Sequence, residues 1–198
     1  MVKQKQQEIK DYLKERQSEI ESGELVVFIE DECHLLWGDV CGYVWGRTNE
    51  KVEVPITNEK KRQTYYGAVD YQTKEFYLQA NDAGNGSNTI NFIESLRTQK
   101  SEAKQFLFIW DGASYHTSSE MQKYLKSVNN GLEENDWAIR CIFFAPHEHN
   151  PVEDIWLKGK NFLRQHFFEN KTFSKVKECF FDFLNEQTFD FPKLSLYG

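Results

Sequence analysis

The sequence predicts a mixed α/β fold: three antiparallel strands and then two parallel ones in a single sheet, flanked by helices. Three observations predict it. Residues 25–31 and 105–110 are short apolar runs, rich in β-branched and aromatic residues and bounded by polar punctuation, with the length of buried strands. Between them, "GYVWGR", "QTYYGAVDYQ" and "KEFYLQA" alternate roughly and carry glycines at short intervals, as an antiparallel meander does. From residue 87 onward, helical stripes alternate with strand-like runs, the pattern of right-handed strand–helix–strand crossovers.

Taken in order, residues 1–23 read as a solvent-facing lead-in helix. They are rich in Lys, Glu and Gln, with a thin stripe at Ile9, Tyr12, Leu13 and Ile20, and Gly23 is a natural stop. Residues 24–170 read as the main domain. In it, "NDAGNGS" is turn chemistry, and Ser87 or Asn88 is placed to cap a helix through Ile90, Phe92, Ile93 and Leu96. The run 105–110 leads to a helix through Met121, Tyr124, Leu125 and Val128. "NNGLEEND" is a polar connection, and "WAIRCIFF" a further buried strand. A helix then opens at Asn150 and carries Val152, Ile155, Trp156, Phe162, Leu163 and Phe167. Residues 171–198 supply a last helix and tail packing on the same domain, with Phe173, Val176, Phe180, Phe183 and Leu184 in one stripe.

Composition sets limits on function. The 198 residues suit one domain of ordinary size, and sixteen Phe, nine Tyr and five Trp argue for an ordered core. The four cysteines show no CxxC pair, and no secretory leader precedes them, so reduced thiols in a cytoplasmic protein are expected. No apolar run approaches the roughly 20 residues that span a bilayer. The net charge of −7 leans against nucleic-acid binding unless bound cations and a separate basic module supply the attraction.

Three acids carry the chemistry. Asp31 closes the apolar run in "VVFIEDECHL", Asp111 closes that in "FLFIWDGASYH", and Glu153 lies in "NPVEDIW" at a helix start. In the predicted topology the first strand and the first parallel strand lie side by side, which brings Asp31 and Asp111 together. Carboxylates so placed suit a pair of divalent ions, which prefer hard oxygen ligands and can flank a phosphodiester. Each acid also has a structural explanation. An Asp after a strand commonly forms a turn, and Asp111–Gly112 fits one. Asn150, Pro151 and Glu153 make a good N-cap, first-turn proline and capping box. Elsewhere, Lys60, Lys61 and Arg62, and Lys158, Lys160 and Arg164, are candidate contacts to a DNA backbone. A zinc grouping of Cys33, His34, Cys41, His147 and His149 fits no zinc-ligand spacing, and "AGNGS" lacks the lysine of a phosphate loop.

At these motifs the chain resembles the DDE transposases of bacterial insertion sequences in the mariner superfamily, within the wider ribonuclease-H-like and retroviral-integrase group. The match is to "FIEDECHLLWGDVCGYVWGR", then "IWDGASYH", similar to an Asp-Asn-Ala-x-x-His pattern with Gly112 in the Asn position, then "APHEHNPVEDIW". It spans roughly residues 25–170, with the motifs in order. The resemblance implies a ribonuclease-H-like sheet, a catalytic and metal-binding triad of Asp31, Asp111 and Glu153, and a two-metal site for Mg²⁺ or Mn²⁺. It implies Glu32, His116 and Asn150 as accessory residues. It also implies cleavage at transposon ends followed by strand transfer into target DNA, and a homodimer assembled on that DNA. The alternatives are a catalytically impaired relative that binds DNA or protein, and another ribonuclease-H-like nuclease. Three departures are visible. Between Asp111 and Glu153 lie 41 residues, a long spacing for the family. The Pro-rich segment before Asn150 is short, and the expected helix-turn-helix module belongs to a separate or missing N-terminal part.

Overall fold

A computed structural model of the chain describes residues 2–40, 46–53, 60–144 and 150–190. Among these, the elements in order are α1 (Val2–Glu15), α2 (Gln17–Ser22), β1 (Leu25–Leu36), β2 (Arg62–Asp70), β3 (Phe76–Asn81), α3 (Gly86–Gln99), β4 (Gln105–Trp110), α4 (Ser119–Val128), β5 (Ile139–Phe143), α5 (Pro151–Gln165) and α6 (Phe173–Leu184). The five strands form one sheet in the order β3-β2-β1-β4-β5. β1, β2 and β3 pair antiparallel, while β1–β4 and β4–β5 pair parallel.

Strand alternation sorts the apolar residues onto two faces. Val27, Ile29, Leu107 and Ile109 face a core completed by α1, α2, α5 and α6. Val26, Phe28, Phe106, Phe108 and Trp110 face a second core under α3 and α4. Two buried faces explain why 25–29 and 105–110 read as continuous apolar runs. Gly159 allows the close crossing of α5 and α6, since a Cβ there would stand 2.6 Å from Phe180 Cε2 and 2.9 Å from Leu184 Cδ1.

Several expectations change. The lead-in segment is two helices rather than one. It is not simply solvent-facing, since Ile9, Leu13 and Ile20 are buried in the core. Gly23 does stop it, in the left-handed conformation at φ 78°. The cap of α3 is Asn85 rather than Ser87 or Asn88, its side chain accepting from Asn88 N. β1 does not end at Asp31 but runs to Leu36, because β2 pairs with it as far as Leu36↔Arg62. Most of the expected "GYVWGR" strand, together with Cys41, His147 and His149 of the zinc grouping, lies outside the described residues.

Candidate functional site

The three acids come from three elements that meet where β4 ends. The last parallel pair of β1 and β4 is Ile29↔Ile109, and Asp31 and Asp111 each lie two residues beyond it. From there β1 keeps only β2 as a partner, with Asp31 opposite Gly67, so one edge of the strand at Asp31 is open. α5 is fastened to this edge by Asn150, whose Nδ2 donates to Glu30 O at 2.9 Å and whose Oδ1 accepts from Val152 N at 3.0 Å. With Asn150 as cap and Pro151 in the first turn, the helix start is satisfied without Glu153. The expected capping box is not formed. The Glu153 side chain is exposed and has no hydrogen bond or ion pair among the described residues.

One turn along α5, Trp156 reaches back to the same point. Its indole Nε1 donates to Asp31 Oδ2 at 3.0 Å. Gly67 makes this approach possible, since a Cβ there would lie 2.4 Å from Trp156 Cη2. The Asp31 carboxyl is pushed up to about 7. Burial is the largest cause; the negative charges of Glu32, Asp111 and Glu153 add to it, and the Trp156 N–H opposes it. Asp31 thus feels both other acids, the convergence that the motifs imply. Asp111 is held below the usual carboxylate range by its contact with His116 and by Ala113 N, which donates to Oδ1 at 2.8 Å.

A second constellation occupies the opposite face of β1. Glu30 and Glu32 point away from Asp31 by strand alternation and meet His116, which lies in the turn between β4 and α4. His116 Nε2 stands 3.5 Å from Glu30 Oε2 and 3.4 Å from Glu32 Oε1, while Nδ1 stands 3.2 Å from Asp111 Oδ1. The ring stacks on Trp110 at 4.3 Å with planes 5° apart, and Tyr115 meets it edge-on at 4.7 Å. Burial would lower the His116 pKa, but Asp111, Glu32 and Glu30 together raise it to about 10. Glu30 is 1% exposed, and burial first, then Glu32, pushes its carboxyl well up. Glu30 and Trp156 were not among the expected site residues. Trp156 reads as one more member of an apolar stripe. For Glu30 the signal is alternation, which sets it on the face of Val26 and Phe28.

The basic candidates divide. Lys160 and Arg164 follow Glu153 by seven and eleven residues, nearly whole turns, and so share its stripe of α5. Lys158 lies on another side, with Nζ 5.5 Å from the centre of the Phe189 ring. Lys60, Lys61 and Arg62 are exposed at the start of β2, with Lys61 Nζ 5.4 Å from the centre of the Trp37 ring.

Converging carboxylates, one of them without a side-chain partner among the described residues, are the oxygen-rich donor set that suits Mg²⁺ or Mn²⁺. The sheet order and flanking helices are those of the ribonuclease-H-like fold. A family model described as DDE superfamily endonuclease matches residues 26–175, and the chain belongs to that family. Among curated proteins no sequence match is found. Among solved structures, the chain is similar to the HTLV-2 integrase catalytic core domain in complex with magnesium, trimeric form. The identity is 14%, with 84% of this chain and 89% of that one covered and a TM-score of 0.50. It is similar to a chain of the simian T-cell lymphotropic virus intasome in complex with PP2A regulatory subunit B56 gamma, at 12% identity, 86% and 53% coverage and TM-score 0.54. A third similarity is to the Mos1 mariner paired end complex with Mn, at 14% identity and TM-score 0.49, where 98% of this chain spans 56% of that one. At these identities the structural likeness concerns the fold alone. No described helix is long and apolar enough to cross a membrane.

Proposed function

We propose that this DDE-family endonuclease domain is the catalytic domain of a DNA transposase, and that Asp31, Asp111 and Glu153 hold a pair of Mg²⁺ or Mn²⁺ ions. The observation that carries the reading is at Asp31. Asp31 and Asp111 each lie two residues beyond the last β1–β4 pair, and Asn150 ties the start of α5, with Glu153 in its first turn, to the carbonyl of Glu30 beside Asp31. When bound, two such ions polarise the phosphodiester, lower the pKa of the attacking water and stabilise the departing oxygen.

The chain's own residues prepare that site. Trp156 holds Asp31 in one orientation through the indole N–H. Asn150 fixes the start of α5 to β1, so that Glu153 is presented from a helix rather than from a loop. His116 leans on Asp111 from behind and keeps it ionised. Lys160 and Arg164 extend from Glu153 along α5 and, with Lys60, Lys61 and Arg62, would meet phosphates of transposon-end and target DNA. Partners in this reading are DNA, a second copy of the chain assembled on it, and a helix-turn-helix module carried elsewhere. The setting is the bacterial cytoplasm at the nucleoid.

The test is cleavage of DNA carrying the flanking terminal repeats, in Mn²⁺ or Mg²⁺. Cleavage is expected to require divalent metal and all three acids. Undiminished cleavage by Glu153→Gln would sink the assignment, and metal binding without cleavage would favour an impaired relative. Equal cutting of generic RNA would point to another nuclease of the same fold.

A further inference from the structure

We propose that Glu30, Glu32 and His116 form a separate site for a divalent first-row transition ion of the Zn²⁺ or Mn²⁺ type, on the face of β1 opposite Asp31. The donors are Glu30 Oε2, Glu32 Oε1 and His116 Nε2, which all lie within 4.8 Å of one another. This goes beyond the all-carboxylate site proposed above and does not depend on it.

The spacing is the first argument. A charge-assisted N–H···O bond is about 2.7–2.9 Å long, whereas His116 Nε2 stands at 3.5 and 3.4 Å from its two carboxylates. Tetrahedral ligands bonded at about 2.0–2.2 Å to a central ion are separated by roughly 3.3–3.6 Å. The groups are therefore set apart as ligands are, rather than drawn together as bonded partners are.

Unmet hydrogen-bonding capacity is the second. Both Glu30 carboxylate oxygens, Glu32 Oε1 and His116 Nε2 are buried with no hydrogen-bond partner. Glu30 is 1% exposed, His116 is 3% exposed, and the Glu32 side chain is 4% exposed. Three of these atoms, Glu30 Oε2, Glu32 Oε1 and His116 Nε2, converge within 4.8 Å, and buried polar atoms left without hydrogen bonds are costly in a folded protein.

The far side of the imidazole is the third. Nδ1 lies 3.1 Å from the carbonyl oxygen of Asp111 and 3.2 Å from its Oδ1. With an ion in place of the Nε2 proton, a proton on Nδ1 would satisfy those acceptors and the Nε2 lone pair would face the ion. Metal-bound histidines are oriented in this way by a carbonyl or carboxylate behind them. Stacking on Trp110 fixes the ring plane. His116 also borders a cavity of about 590 Å³ between α4 and β5. The nitrogen donor favours Zn²⁺ over Mg²⁺, and the two carboxylates also suit Mn²⁺. Because Asp111 supports His116, the ion would bear on the open site through a single residue.

Pulsed electron paramagnetic resonance of the full chain loaded with Mn²⁺ tests the proposal, because the carboxylate triad has no nitrogen donor. The expected result is ¹⁴N modulation from one directly bound imidazole. It should persist in the double variant Asp31→Asn/Glu153→Gln and vanish in His116→Gln. Glu32→Gln should weaken binding of that ion by about tenfold or more. Absence of nitrogen modulation in the wild-type protein overturns the proposal, and so does modulation that survives His116→Gln. Should His116→Gln fail to fold, Glu32→Gln decides: unchanged affinity for the nitrogen-bound ion overturns the proposal and weakened affinity supports it.

Discussion

Asp31 and its two neighbours, Glu30 and Glu32, are consecutive residues of one strand, yet they sit in contrasting surroundings. On one face, Asp31 looks toward the open edge where β4 has ended, beside the Trp156 indole donor and the exposed Glu153. On the other, Glu30 and Glu32 are enclosed under α4 with His116. The open face leaves its carboxylates available to ions and to a long polymeric substrate. The closed face has no room for a polymer and holds its charges in a fixed frame. Asp111 joins the two, since its carboxylate touches His116 and its charge reaches Asp31. The contrast teaches that acidity alone does not mark a site: one residue step along a strand turns a carboxylate beside an open strand edge into one enclosed in the fold.

The sharpest way to break the comparison is Glu153→Gln. Because the Glu153 side chain makes no bond among the described residues, its loss should leave the melting temperature unchanged while metal-dependent cleavage falls on the order of 10²–10³-fold. A large loss of stability would mean that the helix start needs the carboxylate after all.

Gly67→Ala comes next. A methyl group there displaces Trp156 and costs about 1–3 kcal/mol by chemical denaturation, with a matching loss of activity. Full activity would show that the indole does not position Asp31. Trp156→Phe is milder. Without the indole donor the Asp31 carboxyl should rise further above about 7, moving the pH–activity profile toward alkaline values.

The pH dependence of stability compares the faces directly. The folded Asp31 carboxyl lies near 7, against about 3.9 in an unfolded chain. Metal-free protein therefore keeps the full contribution of this group below about pH 4 and loses it as pH rises through 7. Asp31→Asn should melt above wild type at pH 8, by about 1–2 kcal/mol, and the two should converge near pH 4. His116, raised to about 10, loses its contribution later, as pH climbs from about 6.5 through 10. The smallest effect belongs to the rim. Lys160→Ala and Arg164→Ala should each lower the salt slope of DNA binding by about 1, and Lys158→Ala, seated against Phe189, by less.

Much of this was legible in the sequence. Asp31 and Asp111 stood out because each follows an apolar run, and those runs are apolar because helices cover both faces of the sheet. The order of strands and helices limits the topology, since parallel crossovers take one hand. Asn150, Pro151 and the stripe of α5 marked the helix that presents Glu153.

Other features depended on partners distant in sequence. That β1 runs on through Asp31 to Leu36 was settled by β2, whose pairing energy outweighs the polar interruption at residues 30–32. That the helix start does not need the Glu153 carboxylate depended on Asn150, whose side chain accepts from Val152 N. Trp156 became a donor to Asp31 only because Gly67, on another strand, leaves room for it. The burial of Glu30 required the turn after β4, which carries His116, to close over it. The sequence by itself determined the element types and the three acids, because periodicity and local propensity act within a few residues. Only the tertiary structure decided which acids stand open and which are enclosed, because that depends on where neighbouring strands end and what packs across them.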